Sequence, residues 1–365
     1  MRDPSPAAAR AYALAMVALL GWGFWQGVAA LRAPATSTRI AGTLTPEGFL
    51  GGRTAAAVNH AMAHGLPADP VLRAAGGVLR WGVFGSGGPA VRVGCDGWLF
   101  LAEELRPWPD AEAAMAERAA ALGRIRARLA AEGVTLLVAV VPDKARVESG
   151  SLCGAPRAAQ AVARLPAWLD LLGREGVPAL SLLPALAAVR PAFWRTDTHW
   201  SQAGAAAAAQ AIAEATAALP LRRADAFRTV AAPEAADGPG DLLRLMSLDR
   251  VPDVLRPAPD RQYPDRTEAA GEAAGLLDET PPAEVVLLGS SYSVNANFHG
   301  RLQQSLASAV ASHAKAGGGF AGAARDYLAG AAWREAKPKL VVWEIPERVV
   351  GQPVGAEERD FLAGW

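Results

Sequence analysis

The chain has 365 residues, with 36 basic and 36 acidic side chains and no formal net charge at neutral pH. A balanced charge excludes a general electrostatic attraction of the whole chain to nucleic acid or to an anionic membrane surface. The apolar share of 51% is typical of a globular protein, and the length allows one large domain or two modest ones.

The first predicted element is an apolar helix near the N-terminus. Residues 11–31 read AYALAMVALLGWGFWQGVAAL, without a charged side chain. About 20 such residues span the hydrocarbon core of a bilayer, so we expect a transmembrane signal-anchor. Arginines that precede the span favour a cytoplasmic location for residues 1–10. A cleaved signal peptide is the alternative, because Ala33-Pro34-Ala35 resembles a small-x-small cleavage site. Either way the remaining chain is exported.

A linker and an N-terminal extension are expected over residues 32–89, because the first part is rich in Pro, Thr and Ser and the rest is weakly patterned. The next stretch, VRVGCDGWLFLAEEL, favours two short strands around a Cys95-Asp96-Gly97 turn. In an exported chain Cys95 and Cys153 either form one disulfide or stay as buried thiols. Neither belongs to a CxxC or Cys/His cluster, so we predict no metal site.

Predicted helices and strands then alternate along the chain. We predict helices over residues 110–132, 157–175 and 201–219, and strands at VTLLVAVV, 177–182, 284–289 and KLVVWEIP. Residues 225–280 are expected to be irregular surface, and further helices are expected up to residue 336. Strands separated by helices imply right-handed crossovers and a mostly parallel sheet. The sheet belongs to one α/β domain over residues 90–350, which a tail over residues 351–365 follows.

Polar side chains follow the predicted strands, at the edge where an open parallel sheet collects its ligands. The stretch VVLLGSSYS runs from a buried strand through a glycine into small hydroxyl residues, a setting that exposes a nucleophilic serine. A serine hydroxyl needs a base. His199 can supply the base, and Asp197 can orient the imidazole. We therefore predict that Asp197, His199 and Ser291 form one constellation.

Each of these residues also has an ordinary structural alternative. Serines after a strand often form turns, and Asp197 can cap the following helix. The joint occurrence of complementary groups in two strand-end loops favours chemistry. Further candidates for an oxyanion donor or a substrate contact, with loop, core or helix-start roles as their alternatives, are Ser290, Tyr292, Asn295, Asn297, Lys144, Arg146 and Trp200. Glu344 and Arg348 are expected to form a structural ion pair.

Five stretches in this order resemble the alginate O-acetyltransferase family of AlgJ and AlgX type: VGCDGWLFL, VVPDK, TDTHWSQAGA, LLGSSYS and LVVWEIPER. The resemblance covers residues 90–350 and is most specific in its D-x-H-W and G-x-S-[YF]-S elements. It implies an SGNH-hydrolase-like three-layer sandwich with a mostly parallel central sheet, in which Asp197, His199 and Ser291 are the triad. Cys95 departs from the family pattern, which favours pairing with Cys153. The chain ends soon after the last strand, which favours the membrane-anchored AlgJ form.

The resemblance further implies a periplasmic O-acetyltransferase of the bacterial inner membrane. It would acetylate a secreted exopolysaccharide, alginate- or cellulose-like, through an acetyl-serine intermediate. No cofactor is expected, because a membrane-bound O-acyltransferase partner supplies the acetyl group, and other polysaccharide export components are further expected partners. Two alternatives remain: a carbohydrate acetylesterase with the same triad, and a non-enzymatic scaffold of an export complex. The scaffold gains support if Ser291 lies far from His199.

Overall fold

The computed structural model describes residues 5–238, 240–270 and 282–365. The chain divides into two compact units, one up to Leu79 and one from Arg80 onward. Residues 1–4 of the expected cytoplasmic segment, and residues 239 and 271–280 of the expected irregular segment, lie outside the described residues.

The first unit is helical. Its helices are α1 (Pro6–Arg32), α2 (Pro34–Ala41), α3 (Pro46–Leu50), α4 (Arg53–His64) and α5 (Asp69–Phe84), the last of which continues into the second unit. By length and composition, α1 is able to cross a membrane. Residues 32–45, expected as a linker, are mostly helical instead. Pro34 and Pro46 each begin a helix, where the missing N–H of proline leaves no bond unmade.

The second unit is built on a parallel sheet. Its strands are β1 (Val91–Val93), β2 (Leu99–Leu101), β3 (Thr135–Val141), β4 (Ala179–Ser181), β5 (Phe227–Ala231), β6 (Ala236–Asp237), β7 (Arg261–Gln262), β8 (Asp265–Ala269), β9 (Val285–Leu288), β10 (Val310–Ser312) and β11 (Leu340–Pro346). Five of them form the sheet in the order β10-β9-β11-β3-β4, with every neighbouring pair parallel. The central strands β3 and β11 are almost entirely apolar, with Glu344 as the one charged residue of β11, as strands covered on both faces require.

Helices cover both faces of this sheet. The helices are α6 (Ala102–Leu105), α7 (Ala111–Ala131), α8 (Lys144–Val147), α9 (Ala159–Arg174), α10 (Leu183–Ala187), α11 (Gln202–Ala215), α12 (Asp241–Leu245), α13 (Ser291–Val294), α14 (Phe298–Leu306), α15 (Gly322–Ala329), α16 (Ala331–Glu335) and α17 (Ala356–Gly364). One core contains α7, α9 and α15 to α17 around Trp168 and Trp343, and the other contains α10, α11 and α14 around Trp200 and Phe298. The predicted three-layer sandwich with a parallel central sheet is therefore confirmed.

Three segments differ from expectation. β10 lies within a stretch expected to be helical, and residues 225–270 contain two antiparallel pairs, β5–β8 and β6–β7, and helix α12. The expected tail contains α17, which packs on the domain because Phe361 and Leu362 are buried in the core.

The β1–β2 hairpin forms around its turn as predicted. At its turn Cys95 is disulfide-bonded to Cys153, with Cα atoms 5.6 Å apart.

Candidate active site

A helix cap holds the loop that carries Asp197 and His199. Ser201 is the N-cap residue of α11: its hydroxyl accepts a hydrogen bond from the Gly204 amide at 3.1 Å and donates to the Pro191 carbonyl at 2.7 Å. Because Ser201 satisfies the start of the helix, Asp197 is not needed as a cap. The side chains of Asp197 and His199 are therefore free to face the strand ends.

Ser291 begins α13, directly after the turn that leaves β9. A Cβ on Gly289 would clash with the Ser293 hydroxyl and lie 2.9 Å from Oε2 of Glu344, so this close approach requires glycine. The buried Glu344 carboxylate accepts hydrogen bonds from the Ser290 amide at 2.7 Å and from the hydroxyls of Ser290 at 3.0 Å and Ser293 at 2.9 Å. Burial raises the pKa of Glu344, although these hydrogen bonds oppose the shift. Glu344 of β11 thus stabilises the turn between β9 and α13.

Three side chains from two segments form one hydrogen-bonded chain. Nδ1 of His199 lies 2.7 Å from Oδ1 of Asp197, and Nε2 of His199 lies 2.8 Å from Oγ of Ser291. With a neutral imidazole, Nδ1–H donates to the carboxylate and Nε2 accepts from the serine hydroxyl. Asp197 is fully buried, His199 is 8% exposed and Ser291 is partly exposed. The chain is therefore closed at its carboxylate end and open at its hydroxyl end.

A second carboxylate, Asp241, lies at the buried end. Its amide donates to Oδ2 of Asp197 at 2.7 Å, its Oδ1 accepts from the Thr198 amide at 2.7 Å, and its Oδ2 lies 3.7 Å from Nδ1 of His199. Burial raises the pKa of Asp197, but hydrogen bonds from His199 and two amides outweigh it and hold this pKa below its usual value. Burial and the adjacent Asp197 charge raise the pKa of Asp241. Asp197 is therefore the stronger acid of the two.

The same three groups meet a spatial requirement for metal ligands. Asp197, His199 and Asp241 each offer one ligand atom within 4.8 Å of the others. Both Asp197 oxygens already accept backbone amide hydrogens, and Nδ1 of His199 faces Asp197. An ion at this position would displace the bond that orients the imidazole toward Ser291. The arrangement therefore favours proton transfer over metal ligation.

The two basic candidates, Lys144 and Arg146, are structural rather than substrate-facing. Lys144 is fully buried, and burial lowers its pKa to about 8. Its ammonium donates to three backbone carbonyls, those of Leu99 at 2.6 Å, Arg195 at 3.0 Å and Asp197 at 2.8 Å. Arg146 forms an ion pair with the buried Glu347 carboxylate. Lys144 therefore supports the Asp197 loop from the interior, and it is neither the solvated loop residue nor the rim contact that the sequence left open.

Two aromatic candidates are also internal. Trp200 is fully buried in the core beneath the site, with its ring centroid 5.0 Å from that of Tyr292. Tyr292 is buried as well, and its hydroxyl donates to the Thr198 carbonyl at 3.0 Å. The Tyr292 ring meets the imidazole of His199 edge-on, with centroids 5.1 Å apart. Both rings support the imidazole and do not contact solvent.

The candidate oxyanion donors divide into side chains and one amide. The side chains of Ser290, Asn295 and Asn297 bind partners of their own, namely the Glu344 carboxylate, the Ser291 carbonyl and the Thr267 hydroxyl. The amide of Ser291 begins α13 and has no acceptor within that helix. Over the described ranges, no other residue accepts its hydrogen either. This amide lies beside the serine hydroxyl, where a tetrahedral oxyanion would form.

The predicted ion pair between Glu344 and Arg348 is wrong. Glu344 binds the serine turn, whereas Arg348 lies 3.2 Å from the carboxylate of Glu103 and donates to the Tyr292 hydroxyl at 3.2 Å. Burial raises the pKa of nearby Glu104 to about 7, although the Arg348 charge opposes the shift. A buried group of charges therefore lies behind Tyr292.

The parallel sheet, the two helical layers and the strand-end Ser-His-Asp chain define an SGNH-hydrolase-like α/β protein. Residues 91–347 match a family described as SGNH hydrolase-like domain, acetyltransferase AlgX. The chain belongs to this family, and it is accordingly an O-acetyltransferase.

Similar proteins support the assignment to this family. A probable alginate O-acetylase AlgJ of Pseudomonas putida is 37% identical over 294 residues, covering 78% of this chain and 75% of the relative. The corresponding protein of Pseudomonas aeruginosa is 32% identical, with 79% and 76% covered. The solved O-acetyltransferase domain of Pseudomonas putida AlgJ superposes with a TM-score of 0.67 at 33% identity, covering 75% of this chain and 98% of that domain.

Proposed function

We propose that this protein acetylates hydroxyl groups of a secreted exopolysaccharide, alginate in the first instance, through an acetyl-serine intermediate on Ser291. The observation that carries the proposal is the continuous hydrogen-bonded chain, 2.7 Å from Asp197 to His199 and 2.8 Å from His199 to Ser291. These are the separations that a nucleophile, its general base and an orienting carboxylate require.

His199 makes two proton transfers in each of the two half-reactions. Nε2 takes the Ser291 proton as Oγ attacks the acetyl carbonyl of the donor, and it returns the proton to the leaving group. Nε2 then takes the proton of a sugar hydroxyl, whose oxygen attacks the acetyl-serine, and returns it to Ser291 Oγ. Asp197 holds the tautomer and stabilises the imidazolium. In each tetrahedral intermediate the Ser291 amide is the first oxyanion donor.

Asp241 acts in this proposal as a positioning residue. Its amide and its carboxylate tie α12 to two adjacent residues of the D-x-H loop, Asp197 and Thr198. Its second oxygen lies 3.7 Å from His199, close enough to stabilise the imidazolium without accepting its proton. The site therefore has one carboxylate that orients the base and another that supports the loop.

The acceptor and the donor are inferred from the relatives. Those with 37% and 32% identity are named probable alginate O-acetylases, which makes alginate the first acceptor to test. Activated acetyl groups are made in the cytosol, so an exported transferase needs a membrane-bound O-acyltransferase to deliver them. The protein itself then requires no cofactor.

We also propose that α1 stays in the chain as a single-pass inner-membrane anchor. Gln26 and Gly27 of α1 are buried, and the Gln26 side chain accepts a hydrogen bond from the Ala68 amide at 3.0 Å. A Cβ on Gly27 would lie 3.1 Å from the terminal methyl of Met62 on α4. A peptide removed after Ala35 would not need this fit, so the packing favours an uncleaved anchor with the second unit in the periplasm.

The competing functions make different demands on the site. A scaffold does not need Ser291 beside His199, so the 2.8 Å separation counts against it. An acetylesterase uses the same three residues with water as acceptor. Purified full-length protein is incubated with an activated acetyl ester, with and without alginate oligosaccharide. Acetylated oligosaccharide supports transfer, whereas acetate alone in both incubations supports the esterase.

The residue assignment is tested by Ser291→Ala in cells that secrete the polymer. We expect loss of polymer acetylation by at least about 10³-fold, because the nucleophile is removed. Ser305→Ala on α14 is the matched control and leaves acetylation unchanged. Both variants should reach the membrane in equal amounts. Unchanged acetylation in Ser291→Ala would refute the assignment.

A further inference from the structure

The first unit exposes a group of large apolar side chains that its own packing leaves uncovered. Around α3 and on α5 these are Leu44 (65% exposed), Phe49 (72%), Leu50 (85%), Val71 (70%), Leu72 (51%) and Leu79 (56%). Single exposed apolar residues are ordinary, but a group within one small unit marks an interaction surface. This group follows α1 directly in the chain.

In the part of α5 that belongs to the first unit, up to Leu79, apolar and charged side chains occupy different stripes. Leu72 and Leu79 are seven residues apart and therefore lie on one stripe, with Val71 beside it. Asp69 and Arg73 are four residues apart on another stripe, where they form an ion pair at 2.6 Å. A helix with one apolar stripe and one charged stripe is suited to lie in the plane of a membrane interface.

The bond between Gln26 and Ala68 sets the depth of α5. Gln26 precedes Arg32, the charged end of α1, by six residues, or about 9 Å along the helix axis. Its side chain binds the Ala68 amide, which immediately precedes α5. If Arg32 lies among the lipid headgroups, the start of α5 lies about 9 Å deeper, near the acyl-chain boundary where interfacial helices bury their apolar face.

The charge of this segment also fits a lipid surface. From Arg32 to Leu79 the sequence has four arginines and two acidic residues. All four arginines are exposed, although Arg73 is paired with Asp69. Anionic headgroups attract such residues when they lie near the surface. The segment is therefore basic although the whole chain is neutral.

We propose that the apolar side chains around α3 and on α5 insert into the periplasmic face of the lipid bilayer. The first unit would then be attached to the membrane in two ways: by α1, which spans the bilayer, and by the exposed apolar side chains around α3 and on α5, which we call the collar. This inference rests on the proposed retention of α1 as an anchor. It concerns the first unit alone.

Depth-dependent quenching of a fluorescent label tests the collar. Both cysteines of the sequence are disulfide-bonded, so a single introduced cysteine can be labelled selectively. The full-length variants Leu72→Cys and Leu50→Cys carry an environment-sensitive dye in phosphatidylcholine–phosphatidylglycerol vesicles. The quencher is a nitroxide near the headgroup end of the acyl chain. Arg73→Cys, on the charged stripe next to Leu72, is the matched control, and Arg174→Cys reports on the exposed surface of the second unit.

We expect quenching at positions 72 and 50 to be roughly twice that at position 73 or more, with little quenching at position 174. Leu19→Cys in the middle of α1 separates the two proposals. Quenching by a deep nitroxide at position 19, without shallow quenching at positions 72 and 50, would overturn the collar and keep the anchor. Absence of quenching at all three positions would overturn both.

Discussion

Replacement of Lys144 by methionine tests whether this residue braces the site or contacts the substrate. Lys144→Met keeps the length of the side chain and removes the ammonium from the carbonyls of Leu99, Arg195 and Asp197. A buried group left without its partner costs about 1–3 kcal/mol, which gives about 2–6 kcal/mol for the carbonyls of Leu99 and Asp197. The Arg195 carbonyl keeps the Leu99 amide as a donor at 2.9 Å. Relief of the buried charge offsets part of this cost, and we expect a net loss of about 1–3 kcal/mol.

This loss should lower the Tm of the full-length protein by several degrees. Because two of the three carbonyls belong to the loop of Asp197, we also expect hydrolysis of an activated acetyl ester to slow by about 10²-fold, the effect of a small displacement of reacting groups. The control is Lys339→Met, whose lysine side chain is 51% exposed. If Lys144→Met left the Tm unchanged and raised only the KM for the polysaccharide, Lys144 would contact the substrate and would not support the loop.

Three further predictions concern charges and covalent links. Asp241→Asn should slow hydrolysis of an activated acetyl ester, because it removes a negative charge 3.7 Å from Nδ1 of His199 that would stabilise the imidazolium; an unchanged rate excludes this role. The pKa of Glu104 is raised to about 7, so the stability that its neutral form contributes is present below pH 4.5 and lost between about 4.5 and 7. When Tm is measured over a range of pH, the Glu104→Gln variant should not show this loss of stability. The Cys95–Cys153 bond closes a loop with a sequence separation of 58, worth about 4 kcal/mol by loop entropy, so the double serine variant should melt lower without losing its strand order.

The parts of the fold that could be predicted are those with long, regular patterns. The apolar runs of β3 and β11 identify covered strands, and the long helices α7, α9 and α11 lie within one to four residues of their predicted bounds. Shorter elements were missed because their pattern is too brief to distinguish. β10 has three residues, α2 and α3 begin at prolines that resemble a linker, and α4 follows a glycine.

The residues of the candidate site could be found because their types are scarce and their positions follow strands. Asp197, His199 and Ser291 were expected together, and the structure brings them within hydrogen-bond distance. Asp241 could not be placed beside them, because it lies in the segment over residues 225–280, which has no clear pattern. The role of Glu344 could not be predicted for a related reason. In the sequence its nearest arginine is Arg348, which suggested an ion pair. In the sheet, β11 lies beside β9, and this places Glu344 next to the serine turn.

The central claim is that Ser291 carries the acetyl group during transfer. The most direct measurement is peptide mass spectrometry of full-length protein quenched during turnover with an activated acetyl ester. The account predicts one added acetyl group on the peptide that contains Ser291, absent from Ser291→Ala and diminished when acceptor oligosaccharide is added. Transfer to the oligosaccharide at the wild-type rate by Ser291→Ala, with no acetyl group on that peptide in the wild type, would contradict it.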